Sequence, residues 1–191
     1  MSDTTTCEEA DMSQHLVITA MGSDRPGVCN QIVHLVSAAG CNIVDSRIAL
    51  FGNEFTLIML ISGTIGEITR VETTLPLLGQ ELNLITIMKR TSPHTEPEHC
   101  YTVEVFVESE DRPGLTEHFT HFFADRNIGL ASLSAQAINK NKLNLTSDLF
   151  QIAVTATVSS ECNLMQLQED FNALCQSLAV QGSLNFIKSS Q

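Results

Sequence analysis

Asp24, Arg25, Pro26 and Gly27 stand in a row, and the same four residue types recur 87 positions later as Asp111, Arg112, Pro113 and Gly114. Together they have a definite chemistry. An arginine pairs with a carboxylate bidentately, and an aspartate accepts from an ammonium. Proline suits the first turn of a helix, where its missing N–H has no intrahelical partner anyway. Glycine has no Cβ, so a ligand or another backbone can come close. The unpaired N–H groups of a helix start sit at the positive end of its dipole and suit an anion. Asn42 and Asn127, at the strands that follow, add a donor and an acceptor each. Such a set fits a free α-amino acid, which presents both charges at once. The same residues also make a strand-to-helix turn in which the aspartate caps the helix and no ligand is involved. The residues alone leave both readings open.

Other reactive side chains are sparse. His118, His121 and Asp125 can share one helix face, but a metal would need more ligands than they supply. Two surface histidines beside an apolar stripe is the plainer reading. Cys29 lies near a helix start, where thiolates are favoured. It has no histidine partner in sequence and reads as a packed thiol, and His15 and His34 stand alone. No catalytic residue, metal site or cofactor is expected.

The elements that position the repeated tetrapeptide are repeated with it. Apolar, strand-like runs precede each copy, "HLVITAM" and "YTVEVFVE". Val28, Ile32, Leu35 and Val36 follow the first copy, and Leu115, Phe119, Phe122 and Phe123 follow the second. Each set draws one face of an amphipathic helix at the same offsets. Asn42-Ile43 and Asn127-Ile128 come next, 85 apart, which suggests that the second copy lost two residues. A hairpin is then expected around Gly52-Asn53. In the second copy its strands are expected at 127–138 and 147–157, joined by a longer polar loop. Second helices are expected over 64–78 and 160–179, then closing strands in "LNLITIMKR" and "GSLNFIKSS". Each copy reads β-α-β-β-α-β, the split βαβ order. The fold class is therefore α+β: two tandem ferredoxin-like modules, each a four-stranded antiparallel sheet with two helices on one face. The expected boundaries are a flexible N-terminus at 1–13, modules at 14–90 and 99–191, and a proline-containing linker at 91–98.

Composition narrows the function. Ten Lys and Arg face 22 Asp and Glu, a formal net charge of −12. Affinity for nucleic acid comes largely from cations that displace counterions, so direct DNA binding is disfavoured. The acidic N-terminus has neither the basic start nor the apolar core of a signal peptide, and no apolar run is long enough for a membrane helix. The six cysteines show no CxxC pair. Reduced thiols and a cytoplasmic location are expected.

"SDRPGV" after a strand, the amphipathic helix, "GCNIVDSR" and the hairpin resemble an ACT domain. Over residues 15–190 the tandem arrangement is similar to the bacterial repressors of the glycine cleavage system, as "LVITAMGSDRPGV", "CNIVDSRIALFGNEFTLIMLISG", "TLPLLGQELNLITIMKR" and "FNALCQSLAVQGSLNF" show. That resemblance implies a non-enzymatic allosteric regulator. It would act through the DNA-binding activator protein of the operon, with glycine as effector. It implies ligand-loop positions Asp24, Arg25, Pro26, Gly27 and Asn42, with Asp111, Arg112, Pro113, Gly114 and Asn127 as counterparts. Glu108 and Glu110 crowd the second loop with negative charge, which disfavours a carboxylate there. The first loop is the expected sensor. The rival readings are a ligand-independent adaptor, which open sheet edges would let self-associate, and a small enzyme.

Overall fold

The computed structural model describes residues 13–92, 100–138 and 149–188. The N-terminus expected at 1–13 and the linker expected at 91–98 fall largely outside them. Contacts divide the chain into two compact units, 1–95 and 96–191.

The first unit runs β1 (Gln14–Ser23), α1 (Val28–Ala38), β2 (Asn42–Phe51), β3 (Glu54–Gly63), α2 (Ile65–Leu82) and β4 (Ile85–Thr91). The second runs β5 (Cys100–Glu110), α3 (Leu115–Ala124), β6 (Leu130–Ile138), β7 (Leu149–Ser159), α4 (Leu164–Leu178) and β8 (Gln181–Lys188). Each sheet is antiparallel, ordered β2-β3-β1-β4 and β6-β7-β5-β8. Alternation explains why one face is covered. Leu16, Ile18 and Ala20 on β1 are buried, as are Phe55, Leu57, Met59 and Ile61 on β3. Side chains alternate across a strand, so these seven share the face that receives Ile32 and Val36 of α1 and Ile68, Val71 and Leu75 of α2. The second core is built the same way but with larger rings. Phe119 and Phe122 of α3 each meet Phe171 of α4, with centroids 6.0 and 5.9 Å apart. Burying one such side chain contributes about 1.5–3 kcal/mol.

Three sequence expectations shift. The second copy did not lose two residues. Gly27 and Gly114, the β-bulges at Val44 and Ala131, and the left-handed residues Gly40 and Asn127 all keep the spacing of 87. The Asn-Ile match was misleading, because Asn127 corresponds to Gly40 and not to Asn42. The second helix of the first unit does not stop at 78 but passes Pro76 to reach Leu82. An interior proline removes one backbone bond and costs about 3 kcal/mol. That cost is offset by burial of Val71 and Leu75 before the proline and of Gly79 after it, and by good ends. Thr64 and Glu67 form a reciprocal capping box, and left-handed Asn83 closes the helix. The expected strands at 127–138 and 147–157 lie at 130–138 and 149–159, and the helix expected at 160–179 lies at 164–178.

The contact between the second helix and the last strand shows why the two copies differ in sequence yet match in shape. In the first unit the helix supplies Gly79, and a Cβ there would stand 3.0 Å from Thr86 Cγ2 of β4. In the second unit the roles are exchanged: Cys175 of α4 faces Gly182 of β8. One partner must be small in each case. A Cβ on Gly182 would meet Cys175 Sγ at 2.6 Å and Phe171 Cζ at 3.0 Å. Gly182→Ala should therefore destabilise the second unit by about 1–3 kcal/mol, read as a lower urea midpoint. The double variant Gly182→Ala, Cys175→Gly should regain part of the loss.

Candidate functional site

Each Asp-Arg-Pro-Gly segment forms the turn between a first strand and a first helix. In the first unit Val28 N–H donates to the Arg25 carbonyl at 3.3 Å, and Gly27 has φ 92° and ψ −13°. Pro26 occupies the second position of this turn and Gly27 the third, the arrangement of a type II β-turn. Gly114 repeats the conformation at φ 89° and ψ −9°. The glycines are thus required by backbone geometry before any ligand is considered. Gly27 and Gly114 are themselves the helix N-caps, so Pro26 and Pro113 lie just outside the helices and not in their first turns. Neither Asp24 nor Asp111 caps its helix, since no side chain accepts at either N-cap. Asp24 contributes through its backbone: its N–H donates to the Asn53 carbonyl at 3.0 Å and pins the turn to the tip of the β2–β3 hairpin.

The arginines do something that sequence reasoning missed. The Arg25 guanidinium donates to the carbonyl of Leu82, the last residue of α2. Arg112 Nη2 donates to the carbonyl of Leu178, the last residue of α4, at 2.6 Å. A cation on the final carbonyls of a helix satisfies an orphan acceptor and faces the negative end of the dipole. The one available signal was that each arginine recurs together with a leucine closing the second helix. Nothing in linear spacing marks the two as neighbours.

The asparagines do not join these turns. Asn42 pairs with Ser62, and Ser62 with His15, at the end of the sheet where β1 begins. Asp24 follows Ser23 at the other end. At about 3.3 Å per residue the two ends are roughly 26 Å apart, so within one unit Asn42 does not face the loop. Asn127 has φ 54°. It ends α3, with Asn127 N–H on the Ala124 carbonyl and Ile128 N–H on that of Phe123. That is the left-handed helix stop for which asparagine substitutes for glycine. Around the second turn, Glu108 accepts from Gln151 Nε2 at 2.7 Å, while Glu110 and Asp111 are exposed.

The remaining reactive groups have structural surroundings. His118 and His121 are exposed and, with Glu117, Thr120 and Ala124, line a depression of about 480 Å³. His121 Nε2 lies 3.3 Å from Asp125 Oδ2. Among the described residues no group of three or more His, Cys, Asp or Glu could hold a metal ion. Cys29 is half-buried and packs against the first core. Burial, with the Glu67 charge second and Arg70 opposing, pushes the Cys41 thiol up. Burial pushes up Cys175. Neither buried thiol is poised as a thiolate. No helix among the described residues is long and apolar enough to cross a membrane.

The chain is 43% identical to the glycine cleavage system transcriptional repressor of Escherichia coli (strain K12) over 180 residues, 94% of each chain. The chain belongs to the glycine cleavage system transcriptional repressors. Residues 14–89 match the ACT domain family. A crystal structure of a protein proposed to be such a repressor is 67% identical and superposes with a TM-score of 0.68, covering 93% of this chain and 99% of that one. A Galdieria sulphuraria protein of unknown function shares the fold at 18% identity, with a TM-score of 0.70 and the same coverage. The relative is named a transcriptional repressor and this chain carries an ACT domain, which supports a regulator over the small-enzyme reading.

Two substitutions test the structural account of the turn. Arg112→Ala should lower the stability of the second unit by about 1 kcal/mol through the lost charged hydrogen bond, measured by urea denaturation. Gly27→Val should cost about 1–2 kcal/mol by forcing a β-branched residue to positive φ, although a Cβ there meets nothing within 4 Å. The loss should appear with no amino acid present; unchanged stability would remove the geometric reason for the glycine.

Proposed function

We propose that this protein represses glycine cleavage genes by binding the DNA-binding activator of that operon, in the cytoplasm, and that glycine is the effector that relieves repression. The observation that carries this is the near-full-length identity to the repressor of Escherichia coli. Charge supports a protein partner over DNA. Both units are acidic, with formal charges of −5 over 1–95 and −7 over 96–191, and that net charge opposes binding to phosphate backbones.

The effector is read, on this proposal, at the first turn, with Asp24 receiving the ammonium and the N–H groups at the start of α1 receiving the carboxylate. The second turn is the structural copy, because Glu108, Glu110 and Asp111 repel a carboxylate. Asn42 and Asn127 have no part in it. Arg25 joins only by leaving the Leu82 carbonyl.

Thermal-shift and calorimetric titration with glycine, then with other amino acids, tests this reading. Glycine at 100 times its dissociation constant should add about 2.7 kcal/mol and raise the melting temperature by several degrees. Asp24→Ala should abolish the shift and Asp111→Ala should preserve it. Aspartate variants suit this purpose better than Gly27→Val, whose backbone strain acts without ligand. Silence across the panel, with the activator present as well as absent, would make the protein a ligand-independent adaptor.

A further inference from the structure

The two sheets differ most on the face turned away from the helices. In the first unit this face is apolar. Met21, Ile58, Ile85 and Ile87 are 41%, 50%, 61% and 62% exposed, and strand register places them all on it. The equivalent positions of the second unit, by the same pairings, are Glu108, Ala153, Gln181 and Ser183. A duplicated fold needs the same helix-facing core in both copies, and both have it. It does not need four bare apolar side chains on the outside of one copy, so their presence calls for an occupant.

The register identifies one. Across the outer face the strands set side chains in rows. One row reads Lys89, Val17, Leu60, Asp45 from edge β4 to edge β2, and the next reads Ile87, Thr19, Ile58, Arg47. A cation and a carboxylate therefore stand at opposite ends of one row. A two-fold axis running along the strands turns one such face onto another, keeps each row and exchanges its ends. Lys89 of one copy then lies over Asp45 of the other, twice. The Ile87 of each copy meets the aliphatic stem of the opposing Arg47, and Val17, Thr19, Ile58 and Leu60 close the centre. Among the described residues, Asp45 otherwise pairs with Arg47 of its own strand, 3.6 Å away and exposed. In the second unit the positions of Lys89 and Asp45 hold Asn185 and Ser132, so the charge pair is absent there, and the exposed apolar side chains on that outer face are Phe106 and Ile187.

We propose that the outer face of the first sheet pairs with the same face of a second copy of this chain about that axis. Sheets pack face to face about 10 Å apart with strands within about 30° of each other, which long edge side chains bridge easily. Five rows on four strands cover roughly 600 Å² before side-chain relief, from a strand spacing of about 4.8 Å and a rise of about 3.3 Å. A standard interface draws about 800 Å² from each partner. An isologous contact of this kind closes on itself and stops at two.

Sedimentation velocity of the full chain from roughly 1 to 200 μM tests the proposal. A concentration-dependent dimer is expected. Ile87→Glu should abolish it, and Phe106→Glu, on the outer face of the second sheet, should leave it intact; circular dichroism and thermal melts check that both variants fold. Lys89→Glu and Asp45→Lys should each weaken the dimer about tenfold, because two exposed attractions become repulsions. The double variant Lys89→Glu, Asp45→Lys should restore it with no change in net charge. A wild-type monomer throughout the range would overturn the proposal and leave the face to a different chain. So would a dimer that survives Ile87→Glu, or one lost in both single swaps and not regained in the double.

Discussion

Each unit repeats one contact between its two connecting turns: the guanidinium of the Asp-Arg-Pro-Gly segment on the last carbonyl of the second helix. The first helix begins and the second helix ends at the same end of the sheet, because α1 and α2 both run back against the direction of the strands that precede them. That leaves the positive end of one dipole near the negative end of the other. The arginine sits between them and satisfies the end that lacks donors. The type II turn sets its direction, and the turn needs Pro26 and Gly27 to hold it. Four residues that look like a reactive cluster are, first of all, a joint between two helices.

The pairing of elements around this joint was legible in sequence, and the residues that fill it were not. Periodicity located both helix faces correctly because Ile32, Val36, Phe119 and Phe123 sit at invariant offsets from the turn. The hairpin was legible because Gly52, with φ 64°, leaves few alternatives. The asparagine match failed for a physical reason. Glycine and asparagine both stop a helix in the left-handed region, so Gly40 and Asn127 hide their equivalence behind different letters. Asn42 then matched by letter alone. Pro76 misled in the opposite direction, since a local rule against interior proline was overridden by burial on both sides of it.

The joint also constrains how an effector can act. A carboxylate bound at the first turn has backbone N–H groups to take without disturbing anything. It gains the bidentate guanidinium only by drawing Arg25 away from Leu82, which leaves the end of α2 short of a donor. The turn from α2 into β4 follows directly, closed by Asn83 and by the Leu84 N–H on the Gly79 carbonyl at 2.7 Å. On the proposed reading, ligand at one end of β1 would thereby be linked to the strand that carries Ile85, Ile87 and Lys89. A ligand moves an equilibrium only by its differential affinity for two states. Competition between a ligand carboxylate and a helix carbonyl for one arginine is such a difference, and the 1–3 kcal/mol typical of allosteric coupling is about what one charged hydrogen bond contributes. The turn that explains itself without a ligand is, for the same reason, the place where a ligand would be felt.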